Sequence, residues 1–271
     1  MASQNNNRKS KTDTMNFDFD LHIHTHHSPC GKDEMVPSEI VRLAAERGMK
    51  RIAITDHWYP NSQMSDIDDT REAIAEAQQR LGTNLKVSFG CEAEIMSPGV
   101  TSGSSELAEQ FDFVMVGATH FTNKPMTMLP DGDDEFRARY FLEMFTFGVS
   151  QPWVDVMAHP FNIMSNVCSV GIFEYLSDNL LIPAIEVARR NDVAMEISRR
   201  VFTSTEQYKF LINFYGLCKE AGVKFTLGSD AHELKDLARV SLLRPVISEL
   251  RLTRDDFWLP RTESRVLAAA G

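Results

Sequence analysis

Six of the chain's eight histidines fall in short motifs spread along the chain, and several of these motifs also carry carboxylates. His22 and His24 lie two apart in Asp20-Leu21-His22-Ile23-His24-Thr25, a spacing that turns both rings to one face of an extended segment. His57 closes Ile52-Ala53-Ile54-Thr55-Asp56-His57, and Glu92 and Glu94 close Gly90-Cys91-Glu92-Ala93-Glu94. His120 follows Gly117-Ala118-Thr119, His159 sits in Ala158-His159-Pro160, and Asp230 and His232 share Gly228-Ser229-Asp230-Ala231-His232. One histidine of this kind is an ordinary polar loop residue. Gathered in one place, so many lone-pair donors and negative charges are costly unless cations sit among them. The donor types suit divalent transition metals, and their number calls for more than one ion. Two ions need a shared ligand, and a carboxylate can offer each a separate oxygen; Glu92, in the middle of the set, is the natural bridge.

Each of these residues falls at or near the end of a short apolar run. Phe17–Ile23, Arg51–Thr55, Lys86–Cys91, Phe113–Ala118, Val154–Ala158, Val193–Ile197 and Lys224–Leu227 read as seven strands. Several are almost continuously apolar, as parallel strands buried on both faces must be. Helical periods alternate with them. Pro37 to Arg47 begins on a first-turn proline and stops at Gly48; Asp69 to Leu81 stops at Gly82; Pro183 to Arg190 is shorter. Thr203 and Glu206 have capping-box spacing ahead of a helix ending at Gly222, and Glu135 to Phe147 is rich in aromatics. Seven strand–helix units in one domain favour a barrel over an open sheet. Barrels of this kind carry their active residues at the C-terminal strand ends, where the histidines and carboxylates fall.

Composition narrows the function classes. Hydrophobic residues make up 43% and charged residues 24%, which excludes disorder over most of the length. No run approaches the roughly 18 apolar residues of a membrane span, so no membrane insertion is expected. The net charge is −10, and the tail carries Arg8, Lys9 and Lys11, so the remainder is more acidic still. Such a surface repels a phosphate backbone and argues against extended nucleic acid as a partner. Four cysteines in 271 residues make no disulfide scaffold. Residues 1–14 read as a disordered polar tail without the apolar segment of a secretory signal, so the expected compartment is the cytoplasm. The expected organisation is this tail followed by a single domain over 15–271, of unknown oligomeric state.

In order and in composition, the motifs around His22, His57, Glu92, His120, His159 and Asp230 resemble those of the polymerase and histidinol phosphatase (PHP) family, over about Phe17 to Leu237. The resemblance implies a distorted (β/α)7 barrel with a trinuclear metal centre at the C-terminal ends of the strands, holding three divalent ions (Zn, Mn or Fe). Carried over by position, it implies that His22, His24, Glu92 and Asp230 hold the first metal. Glu92 then bridges to a second, completed by His120 and His159, and His57 and His232 serve the third. The ninth ligand position, six residues after His24, is histidine in many phosphatase-type members and Cys30 here. A thiolate is a competent ligand for zinc or iron; the alternatives are a bystander thiol with water, His26 or His27 at the metal. Asp20, Asp56, Glu94 and Glu196 are candidates to hold histidine rings from behind, or else to cap backbone N–H groups.

Clustered divalent ions activate water, hold phosphate oxygens and neutralise charge, and no activated Ser or Cys nucleophile is apparent. The expected activity is hydrolysis of a small phosphomonoester, histidinol phosphate among the candidates, through direct attack by a metal-bridging hydroxide. A phosphodiesterase or exonuclease acting on nucleotides or short oligonucleotides is the alternative, and a non-catalytic metal-stabilised module a weaker one. Arg199 and Arg200, just after the sixth strand, are candidate phosphate clamps, with Lys32 and Lys124 behind them. Ser198 stands where similar proteins often have asparagine. Met96 to Ser105 reads either as a loop over the site or as a plain connector.

Overall fold

Apolar runs buried on both faces become the staves of a parallel barrel in the computed structural model, which describes residues 17–121, 129–164 and 167–260. The strands are β1 (Phe19–Asp20), β2 (Arg51–Trp58), β3 (Lys86–Ser97), β4 (Val100–Thr101), β5 (Phe113–Gly117), β6 (Val156–Ala158), β7 (Ala194–Ser198) and β8 (Phe225–Gly228). All but β4 run parallel in the order β1-β2-β3-β5-β6-β7-β8. The ring closes where Leu21 N–H donates to Leu227 O at 2.9 Å and Ile23 bridges Ala231 in parallel. This is the distorted seven-stranded barrel expected from the alternation of strands and helices. Registry carries the chemistry, since it pairs His57 with Glu92 and Glu94 with Gly117 on adjacent strands.

The outer layer consists of α1 (Pro37–Glu46), α2 (Met64–Leu81), α3 (Ser105–Ala108), α4 (Asp134–Val149), α5 (Asp178–Arg190), α6 (Thr205–Glu220) and α7 (Arg244–Glu249). Several boundaries differ from the sequence reading, and three helix starts do so for local reasons. In α2 the start moves back to Met64, because Gln63 and Asp66 form a reciprocal capping box there. Pro183 lies inside α5 rather than at its start; the stripe Leu181, Ala184, Ile185 and Ala188 buries one face and carries the helix through it. In α6 the cap is Ser204, whose Oγ accepts from Gln207 N–H at 3.1 Å, and not Thr203. A serine cap is worth about 1 kcal/mol.

Strand β3 overruns the barrel rim and folds back through Pro98 and Gly99 onto β4, so the first part of the Met96–Ser105 stretch is a β-hairpin and its end leads into α3. Ser102 pins it by donating to Trp58 O at 2.6 Å and accepting from Glu94 N–H at 2.8 Å. Among the described residues no helix is long and apolar enough to cross a membrane. The expected tail, residues 1–14, and Lys124 lie outside the described residues.

Candidate metal centre

The barrel brings the nine candidate ligands His22, His24, Cys30, His57, Glu92, His120, His159, Asp230 and His232 to one mouth. The first strand is shorter than the expected Phe17–Ile23, and His22 and His24 lie in the extended segment just after β1 with Nε2 atoms 3.0 Å apart. Glu92, at the heart of the cluster and without solvent exposure, turns its two oxygens to different neighbours. Oε2 lies 3.2 Å from His22 Nε2 and 3.5 Å from His24 Nε2, while Oε1 lies 3.1 Å from His159 Nε2 and 3.7 Å from His120 Nε2. Asp230 Oδ1 is 3.3 Å from His24 Nε2. Donor atoms of His24, Cys30, His57 and His232 converge within 4.8 Å of one another, as do those of His22, His24 and Asp230, of His22, Glu92 and His159, and of His57, Glu94 and His120. His26 and His27 point away: His27 Nδ1 lies 2.7 Å from Thr70 Oγ1, and His26 Nδ1 lies 3.4 Å from Met35 O.

Two candidate ligands come with strained backbone. His159 has φ of 27° and Asp230 φ of 51°, a region that non-glycine residues rarely enter. Two glycines make room for the cluster. A Cβ on Gly117 would meet His120 Cε1 at 2.6 Å, and one on Gly228 would meet Glu196 Oε1 at 1.9 Å.

The four carboxylates around the candidate ligands play different parts. Glu196 Oε1 lies 2.9 Å from His22 Nδ1, and its Oε2 accepts from His159 N–H at 2.7 Å. Glu94 lies 2.9 Å from His120 Nδ1 and 3.0 Å from His57 Nδ1. Asp20, by contrast, touches no histidine ring. It accepts from the backbone N–H of Ser229 at 2.8 Å and of Ala238 at 2.9 Å, pinning the loop after β8 to β1. Burial pushes its carboxyl up to about 6, against those N–H groups. Asp56 is one hydroxyl removed from the rings. It accepts from Thr25 N–H and from Ser28 Oγ at 2.8 Å, and Ser28 Oγ in turn lies 3.1 Å from His24 Nδ1 and accepts from His57 N–H at 3.0 Å. With its single proton given to Asp56, Ser28 can only accept from His24, which fixes the Nδ1–H tautomer and leaves Nε2 bare toward the cluster. Ser28 was invisible as a functional residue in the sequence, where one serine in a histidine-rich loop carries no distinguishing pattern.

The donor set fits metal ions. Burial and the neighbouring His57 and His22 hold His24 well below the usual imidazole range, so it is neutral and its lone pair is available. Burial alone would raise Glu92, but His22, His57 and His120 hold it well below the usual carboxylate range. His57 Nδ1 is buried 3.0 Å from Glu94 Oε1 and 3.1 Å from Glu92 Oε2, yet makes no hydrogen bond with either. Burial would lower His57, but Glu92, Cys30 and Glu94 around it hold its imidazole well above the usual range, so this corner of the cluster draws positive charge.

A cavity of about 370 Å³ opens over the cluster, lined by Tyr59, Asn162, Met164 and Arg200 together with Cys30 and His232. The two candidate arginines part company here. Arg200 lines the cavity and its Nε donates to Asp230 Oδ2 at 2.5 Å, whereas Arg199 donates to Asp236 Oδ2 at 2.7 Å and does not line it. Ser198 Oγ accepts from Arg200 N–H at 3.4 Å and shapes that turn. Lys32 is exposed and is not among the lining residues.

A family model described as the PHP domain matches residues 20–200. A protein named "Probable phosphatase" from Caldicellulosiruptor saccharolyticus is 27% identical over 216 residues, covering 78% of this chain and 79% of that protein. A "Probable phosphatase" from Caldicellulosiruptor bescii is 25% identical over 213 residues with the same coverage. Among solved structures, histidinol phosphate phosphatase from Lactococcus lactis, complexed with zinc, L-histidinol and phosphate, matches with a TM-score of 0.64 at 18% identity, covering 91% of this chain and 97% of that one. At that identity the likeness is one of fold.

Proposed function

The chain belongs to the PHP domain family, and on that premise we propose that it hydrolyses a small phosphomonoester in a metal-dependent reaction, with residues 15–271 acting as one domain. The observation that carries the reading is Glu92, whose two oxygens face separate donor groups beneath a cavity of about 370 Å³, the size class of a small-molecule site. His22, His24, Glu92 and Asp230 would hold one ion, Glu92 with His120 and His159 a second, and His57, His232 and Cys30 a third. Such ions would supply an activated water for attack on phosphorus and neutralise phosphoryl charge.

The chain's own residues set the geometry. Glu196 and the Asp56–Ser28 pair hold the His22 and His24 rings with Nε2 toward the cluster. Arg200 keeps two guanidinium nitrogens beyond the one spent on Asp230, and these are the phosphate clamp at the mouth. The phosphatase names of the curated relatives, and the phosphate and L-histidinol in the Lactococcus structure, support a small phosphorylated substrate.

Hydrolysis of a chromogenic phosphomonoester and a phosphodiester, compared with and without Mn²⁺ or Zn²⁺, tests the reading. Metal-dependent turnover of the monoester, abolished by a chelator, is expected. Faster cleavage of the diester, or no cleavage of either by metal-loaded protein, overturns it.

A further inference from the structure

Gln207 is wholly buried on the apolar stripe of α6, among Phe210, Leu211 and Phe214, and none of the proposed chemistry uses it. Its Oε1 accepts from Ile163 N–H at 3.1 Å, and its Nε2 donates to Arg200 O at 3.0 Å and to Asn162 Oδ1 at 2.9 Å. A backbone N–H can only donate and a carbonyl can only accept, so the two ends of this amide are fixed independently. The remaining Nε2 hydrogen then dictates the orientation of Asn162, with Oδ1 toward Gln207 and Nδ2 on the opposite side. Asn162 is 7% exposed, lines the cavity, and has no described residue accepting from Nδ2. Arg200, whose backbone the same glutamine holds, lines that cavity too.

We propose that Asn162 is a substrate-binding residue whose Nδ2 donates to a phosphoryl oxygen alongside the Arg200 guanidinium, and that Gln207 is the positioning residue that sets both. This rests on the reading that the cavity takes a phosphate ester. A neutral donor suits the place: it adds a hydrogen bond to the anion without adding positive charge beside bound cations. One buried amide ties the loop after β6 to the turn after β7, so the two donors keep a fixed separation.

Asn162→Asp separates this role from a structural one. Aspartate keeps the oxygen that accepts from Gln207 and keeps the side chain's shape, but turns the cavity-facing donor into an anion. Titration of inorganic phosphate into metal-loaded protein by calorimetry, at metal content equal to wild type, reads binding directly. Asn162→Asp is expected to weaken phosphate by about tenfold or more and to raise KM to match, the loss expected of a hydrogen bond to a charged group. Gln207→Met, similar in volume, is expected to raise KM more than it lowers kcat. Asn162→Ser, whose side chain is too short to reach the anion, gives the same phosphate measurement should the aspartate variant fold poorly. Phosphate affinity within twofold of wild type in the folded variant overturns the inference. If wild-type protein itself neither cleaves a monoester nor binds phosphate, the parent reading falls instead.

Discussion

The Glu196 carboxylate joins two candidate ligands, with Oε1 2.9 Å from His22 Nδ1 and Oε2 accepting His159 N–H at 2.7 Å. Tyr215 O–H anchors the same residue by donating to its backbone carbonyl at 2.9 Å. The arrangement puts the His22 proton on Nδ1 and leaves Nε2 bare toward His24 and Glu92.

Glu196→Gln tests that tautomer. The amide oxygen must stay with His159 N–H, so the amide nitrogen faces His22 Nδ1 and drives the ring proton to Nε2, the coordinating side. Metal affinity is expected to fall roughly 10–100-fold, the usual cost of losing such a partner. Metal titration reads the affinity, and nitrogen-15 NMR of the histidine rings reads the tautomer. Unchanged affinity with the proton still on Nδ1 would count against the role given to Glu196.

Gly228→Ala follows from the same corner of the barrel. A Cβ there would stand 1.9 Å from Glu196 Oε1 and 2.5 Å from His22 Cβ. Neither neighbour can yield, since both are fully buried. Overpacking of this kind costs about 1–3 kcal/mol, and here it also displaces a ligand's partner. A lowered melting temperature together with lost metal is expected; a fully loaded, equally stable variant would show that the corner is looser than its distances suggest.

How much of this was readable from the chain depends on whether the signal was local. Strand-end histidines advertise themselves because a donor at the end of an apolar run is a local pattern, and His22, His57, Glu92, His120, His159 and Asp230 all meet at one mouth. Roles that depend on tertiary partners were less legible. Asp20 and Asp56 look alike beside their histidines, yet Asp20 secures backbone and Asp56 reaches His24 only through Ser28. Arg199 and Arg200 are neighbours in sequence, and only the turn after β7 decides which one lines the cavity. Gln207 did leave a trace: a polar residue sharing the helical stripe of Phe210, Leu211 and Phe214 needs buried partners.

Glu92 and Glu94 should respond differently to truncation. Glu92 faces five histidines through two oxygens, so Glu92→Ala is expected to remove more than one metal and abolish hydrolysis. Among the described residues Glu94 faces His57 and His120, and Glu94→Ala is expected to cost roughly 10–100-fold. Elemental analysis beside turnover checks both. A dead Glu94→Ala and a metal-replete Glu92→Ala would reverse their roles.

Cys30 offers a pH-dependent handle on the third group of donors. Burial pushes its thiol up, but hydrogen bonds with His232 and His57 outweigh that and bring it down to about 7. Because the shift is downward from an ordinary value of about 8.5, the thiolate gains population as pH rises through about 7, one to two units earlier than in an unperturbed cysteine. In metal-free protein, alkylation of Cys30 should therefore become half-maximal near that pH, while Cys91, Cys168 and Cys218 are buried and slow. His232→Ala should move the midpoint upward by removing the larger of the two hydrogen bonds. Bound metal should protect the thiol, since the sulfur converges with His24, His57 and His232 within 4.8 Å. Cys30→Ser should weaken one ion and leave the others in place, and Cys30→His should restore it, because imidazole coordinates zinc at about 2.0–2.1 Å against about 2.3 Å for sulfur. If metal gives no protection and Cys30→Ser keeps full metal content, the thiol is a bystander. His57 and His232 must then hold that ion without sulfur, since His26 and His27 already face other partners.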